Sequence, residues 1–319
     1  MGRKRKRAPS QALSSSRSED SNEITSITKT RTYSRNFRQH LIDHDIYPNP
    51  YEHPDEIPAL PNNWDEINKR LARRRPSLSP SKFTQKDFQK FCREDAFASK
   101  ENPVTTGPVP MIEGDRDPKY SSGGYPFGNL DHLTDGTLAQ AKPDRFYGAR
   151  PKQLDLEIRK KLSNQIIPST QDDLPMAPNF FLEAKGLDGT AAVAERQACY
   201  DSALGARAIH ALQSYQQKRL IYDNNAYTIT STYADATLKL YATHLTKPKG
   251  PDCRPEYIMT QLGGWMMTNN AETFRQGASA YRNARDWAKE KRDEFIRLAN
   301  ERHLNAQSQA QHSENRRSS

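Results

Sequence analysis

The chain predicts an α/β fold in which a mixed central sheet is flanked by helices, followed by a long C-terminal helix, with disordered termini. Three observations carry this. Helical and strand-like periodicities alternate along the middle of the chain. The segment AYTITSTYADATLKLYATHL reads as a hairpin of two alternating runs about Ala234-Asp235. Mean hydropathy is −0.97 and 34% of residues are hydrophobic, too few for a chain of 319 residues folded from end to end, so one core with polar flanks is expected.

Residues 1–34 are Ser, Thr, Arg and Glu without periodicity and read as a disordered tail. Residues 35–80 form an arm: a short helical turn at FRQHLIDHDIYP, a proline-punctuated stretch expected to wrap on the domain without entering its core, and the helix WDEINKRLARRR with Trp64, Ile67 and Leu71 on one face. Residues 81–303 are expected to be the α/β domain. It opens with a helix over 81–99, capped by Ser81 or Thr84 and ended by Asn102-Pro103. A strand is expected within 104–114, a long flexible loop over 115–128, a turn at Asp135-Gly136 and a strand from Asp144 to Tyr147. A helix over 154–167 precedes the apolar strand FFLEAKG. The Ala- and Gly-rich helix 189–217 then suits close packing on a sheet. EYIMTQLGGWMM adds a strand, with Gly263-Gly264 as a tight turn beside a packed indole, and 272–303 is a strong helix. Residues 304–319 read as a frayed polar tail.

Charge and cysteine usage narrow the function classes. Of the net +9, Arg3, Lys4, Arg5, Lys6 and Arg7 supply five, which leaves the body only mildly basic. Such a block reads as a nuclear import signal recognised by an import receptor, or as an arm touching phosphates, and either places the protein near nucleic acid in the nucleus. Cys92, Cys199 and Cys253 lack CxxC pairing, which argues against a disulfide framework and a zinc-cysteine site. No run of about 18 apolar residues is present to span a membrane. There is no GxxxxGK[ST] phosphate loop and no GxSxG elbow. His40 and His44 have zinc-helix spacing, but HLIDH lacks the Glu of HExxH, so no metal is expected there.

The chemistry-bearing pattern is Pro143-Asp144 in AKPDRFYGA with Glu183 and Lys185 in NFFLEAKG. Alternation along a strand puts Phe181, Glu183 and Lys185 on one face, with the two charged residues roughly 6.5–7 Å apart. Charges on an apolar strand need pairing, a cation or solvent to offset their desolvation. Two carboxylates suit a hard cation such as Mg²⁺, and an ammonium suits the positioning of a water. The structural alternative is that Glu183 and Lys185 emerge at an open strand end while Asp144 caps a turn. Asp173, in the Pro-flanked loop QDDLP, is the reserve carboxylate.

The pattern Asp144, Glu183, Lys185 resembles that of the PD-(D/E)xK nuclease superfamily. Over about residues 36–303, RFYGA, PNFFLEAKG, RQACYDSALGARAIHALQSY and YDNNAYTITSTY look like a group of uncharacterised fungal proteins with such a domain. The resemblance implies a restriction-endonuclease-like αβββαβ core within the domain 81–303, Asp144 and Glu183 as Mg²⁺ ligands, and Lys185 as the water-orienting group. It adds Gln197 on the long helix and Glu94 on the first helix as auxiliary residues. The function so implied is a Mg²⁺-dependent nuclease-like protein acting on nucleic-acid phosphodiesters. The alternative is a catalytically inactive nuclease-fold module that binds nucleic acid or a protein partner. A third reading is a scaffold using the proline arm and the C-terminal helix.

Overall fold

The computed structural model describes residues 29–317 apart from 53–57, 99, 172 and 251–252, so the basic cluster Arg3–Arg7 lies outside the described residues. Seven strands form one mixed sheet: β1 (Ile46–Tyr47), β2 (Ser121–Ser122), β3 (Arg145–Ala149), β4 (Met176–Ala184), β5 (Ala226–Ala234), β6 (Thr237–Leu245) and β7 (Tyr257–Met266). Their spatial order is β1-β7-β6-β5-β4-β3-β2. Among these seven strands, β4–β5 and β1–β7 pair in parallel and the other neighbours antiparallel.

The helices are α1 (Asn36–Ile42), α2 (Trp64–Leu71), α3 (Gln85–Phe97), α4 (Glu101–Thr106), α5 (Pro108–Glu113), α6 (Leu156–Lys161), α7 (Ser163–Ile166), α8 (Ala191–Ser214) and α9 (Ala271–Arg317). The parallel pair β4–β5 needs a crossover, and α8 supplies it. On the α8 face, Phe146, Phe181, Cys199, Tyr200 and Ala203 share one core cluster; on the opposite face, Tyr147, Phe180, Leu182, Tyr281 and Trp287 share another. Each pair of strand neighbours splits between the faces, as the period-2 pleat requires. Gly205 permits the close approach of α8, because a Cβ there would lie 2.6 Å from Phe181 Cε2 and 2.8 Å from the Pro178 carbonyl oxygen.

Several expectations change. The helical turn that opens the arm contributes to the core, which its sequence did not announce: Phe37, Leu41 and Ile46 are fully buried, and β1 extends the sheet beside β7. Residues 104–114 are helical, since Pro103 and Pro108 sit in the first turns of α4 and α5, where a missing N–H costs nothing. The helix expected over 154–167 breaks at Leu162 into α6 and α7. Ser121 and Ser122, expected in a loop, pair with β3 as a short edge strand. Gly263-Gly264 is no turn. Both lie within β7, beside a bulge at which Leu262 is the extra residue between the pairs Leu240–Gly263 and Tyr241–Gln261. α9 continues through the stretch expected to fray, where Ala and Gln are good helix formers, although residues 304–312 are exposed. Thr84 caps α3 in a capping box with Asp87, and Asp235 and Ala236 turn the β5–β6 hairpin with positive φ at both positions.

Candidate active site

Asp144 precedes β3 directly. Antiparallel register pairs Arg145 with Leu182, so the next step sets Asp144 opposite Glu183. Asp144 Oδ2 accepts the Ala184 backbone N–H at 2.7 Å, which locks its carboxylate against the end of β4. Gly123 holds Asp144 from the other side: a Cβ at 123 would sit 2.0 Å from the Asp144 carbonyl oxygen, and the Gly124 N–H donates to Pro143. Glu183 and Lys185 share the α8 face with Phe181, as the alternation predicts. Lys185 Nζ lies 3.6 Å from Glu183 Oε2 and 3.9 Å from Asp144 Oδ2. The three residues expected to act together are therefore together.

α8 contributes a residue the sequence reading passed over. Asp201 is 1% exposed and lies close enough to Glu183 for one proton to bridge the two carboxylates. Burial, then Asp201 and Asp144, push Glu183 well above the usual carboxylate range; burial, then Asp144, raises Asp201 to about 7. Gln197 lies one turn earlier on the same helix face. Asp201 had a signal in the sequence: an acid four positions after Gln197, in the small-residue stretch ACYDSALGA that packs on the sheet.

Three carboxylates thus meet one ammonium with little solvent to share: Glu183 is fully buried and Lys185 is 3% exposed. Both Glu183 oxygens, Asp201 Oδ2 and Gln197 Oε1 are buried without a hydrogen-bond donor. These orphans are all acceptors. A proton shared by Glu183 and Asp201 offsets part of the excess negative charge, and a divalent cation offsets more.

The other candidates lie apart. Asp173 is an exposed residue in the turn before β4, with most of the strand between it and Glu183. This position removes it as a reserve ligand. Glu94 is exposed on α3, beside Gly107. Arg196 donates to the Thr32 and Ser34 carbonyls, so it ties the arm to α8. Backbone packs closely beside the end of β4, where a Cβ on Gly186 would lie 2.5 Å from the Lys100 carbonyl carbon. A cavity of about 660 Å³, lined by Arg73, Arg74, Trp265 and Arg275, is on the α9 side of the sheet and does not bear on these carboxylates. No helix among the described residues is long and apolar enough to cross a membrane. Comparison with family profiles, curated proteins and solved structures finds no match to this chain.

Proposed function

We propose that the chain is a Mg²⁺-dependent nuclease-like protein that hydrolyses nucleic-acid phosphodiesters. The observation that carries this reading is the convergence of Asp144, Glu183 and Lys185, with Asp201 adding a carboxylate, at a cluster whose orphaned atoms are all acceptors. That donor set fits a hard cation: Asp144 and Glu183 would hold it, with Asp201 within reach. A bound Mg²⁺ supplies Lewis acidity to a phosphoryl oxygen and acidifies a bound water. The chain's own residues do the rest. Lys185 offers an ammonium to orient the water and balance charge on the phosphate. Asp144, tied to the Ala184 amide, holds its carboxylate in place. Glu183 and Asp201 would share a proton in the ion-free chain.

The helix α3, the strands β2 to β4, the helix α8 and the strand β5 follow the order of an αβββαβ core, with α4 and α5 inserted before β2 and α6 and α7 between β3 and β4, and this order supports the PD-(D/E)xK reading. The tail Arg3–Arg7 is proposed to direct nuclear import and to contact phosphates.

One observation favours a second reading. The full burial of Glu183 and near-full burial of Lys185 suit a sealed, inactive nuclease-fold module that binds nucleic acid or a protein partner. Cleavage assays on single- and double-stranded DNA and RNA, with Mg²⁺ or Mn²⁺ against EDTA, separate the two. The enzyme reading expects metal-dependent cleavage that Asp144→Asn and Lys185→Ala each reduce by about 10²-fold or more. Absence of cleavage on every substrate, with salt-sensitive binding retained, supports the inactive module.

A further inference from the structure

A second cluster lies outside the carboxylate site, where the N-terminal arm meets the loop before β3. His40 is on α1 and His44 follows its C-terminus, and their rings stack at 4.6 Å. Asp135, 95 residues away from His40 in sequence, brings its Oδ1 to 3.0 Å from His40 Nε2. One ligand atom from each of the three lies within 4.8 Å of the other two. The two histidines have zinc-helix spacing, but the third ligand was hidden, because the carboxylate comes from a distant turn and not from the helix.

The surroundings are those of a prepared ligand set. His44 Nδ1 sits 2.8 Å from the His40 carbonyl oxygen, an acceptor, so Nδ1 donates to it and Nε2 is the ring nitrogen left to face a ligand. Metal-ligating histidines are oriented in this manner by a carbonyl behind the ring. Asp135 is fixed likewise, accepting from the Thr137 N–H at 3.0 Å and the Thr137 hydroxyl at 2.7 Å. Gly136, at φ +84°, makes the turn that presents Asp135. Both histidines are half-buried and Asp135 is exposed, so the set is reached from solvent.

We propose that His40, His44 and Asp135 form a site for a divalent transition-metal ion of the zinc type, clamping the arm onto the loop that leads to Asp144. Two imidazoles and one carboxylate are a zinc-type donor set, and hard Mg²⁺ has little preference for imidazole. Contraction to metal–ligand distances of about 2.0–2.1 Å requires side-chain rotations on the order of 1 Å. The clamp would reinforce an existing junction, in which the Thr30 N–H donates to the Thr137 carbonyl and the Ala139 N–H to the Thr30 carbonyl.

Titration of the full-length, chelator-stripped protein with Co²⁺, followed by visible absorption, tests the site. The expected result is a saturable ligand-field band with one ion per chain, displaced by Zn²⁺. Thermal unfolding with Zn²⁺ at about 100-fold excess over Kd should show a Tm rise of about 5 °C. His40→Ala, His44→Ala and Asp135→Asn should each abolish the band and the rise, while Asp144→Asn and Glu183→Gln keep both. Asp135 is an exposed turn residue, so Asp135→Asn remains a fair test if a histidine variant fails to fold. Absence of a band in the wild type overturns the proposal, as does a band that survives in Asp135→Asn or is lost in Glu183→Gln.

Discussion

Glu183 on β4 and Asp201 on α8 bury two carboxylates against each other at the sheet–helix interface, with Lys185 the nearest cation to Glu183 at 3.6 Å. Two buried acids within sharing distance cannot both ionise cheaply. One holds a proton that the unfolded chain releases, and the stability of the ion-free protein follows from that.

The sign of the pH dependence is set by the raised carboxyls. Asp201 titrates near 7 when folded against an ordinary 3.8, and Glu183 is shifted upward as well. Between about pH 4 and 7 the folded state binds more protons than the unfolded, so this contribution to stability falls as pH rises through the window. His244, buried and lowered from 6.5 to about 4, acts in the opposite direction, adding stability as pH rises from about 4 to 6.5. Urea denaturation of Asp201→Asn should lose the falling component. Relative to wild type, the variant is expected to gain most at pH 8 and least at pH 5. A variant less stable than wild type at pH 8 without metal would contradict this assignment.

Removing the cluster's charge should separate stability from metal response. Glu183→Gln takes a buried carboxylate from beside Asp144 and Asp201, so its Tm at pH 8 in EDTA should equal or exceed that of wild type. Its Tm should then be insensitive to Mg²⁺. Differential scanning fluorimetry reads both.

Gly205→Ala tests how closely α8 packs on β4. A helix-interior alanine gains about 1 kcal/mol of propensity over glycine. The new Cβ would meet Phe181 and the Pro178 carbonyl at 2.6 and 2.8 Å, and such overpacking costs up to about 3 kcal/mol. The clash should win, with a net loss of about 1–2 kcal/mol by chemical denaturation.

The last turns of α9 should be dispensable. His303 is 9% exposed and pairs with the Tyr215 hydroxyl at 3.1 Å, whereas Leu304 is 58% exposed. Deleting residues 304–319 is expected to leave stability within about 0.5 kcal/mol, while extending the deletion through Ala299 and Ile296, both buried, should destabilise the fold measurably.

The sequence disclosed the parts of this architecture that rest on local pattern. Alternation placed Glu183 and Lys185 on one face, and the small residues of 189–217 marked a helix packed on the sheet. What it hid depended on distance or on context. Residues 104–114 look like a strand by their Val and Ile content, but the prolines there suit helix starts. The arm's entry into the sheet rests on Ile46 finding Tyr257, a pairing no local pattern announces. Asp201 and Asp135 escaped for a related reason: each meets its partners only after α8 or the Gly136 turn is in place.

Calorimetric titration of Mg²⁺ into the wild type at pH 8, in two buffers of different ionisation enthalpy, tests the central claim most directly. If the carboxylate cluster is a cation site, one ion binds per chain, protons leave the Glu183–Asp201 pair on binding, and Glu183→Gln abolishes the heat. No saturable binding, or binding that Glu183→Gln leaves unchanged, would contradict the claim.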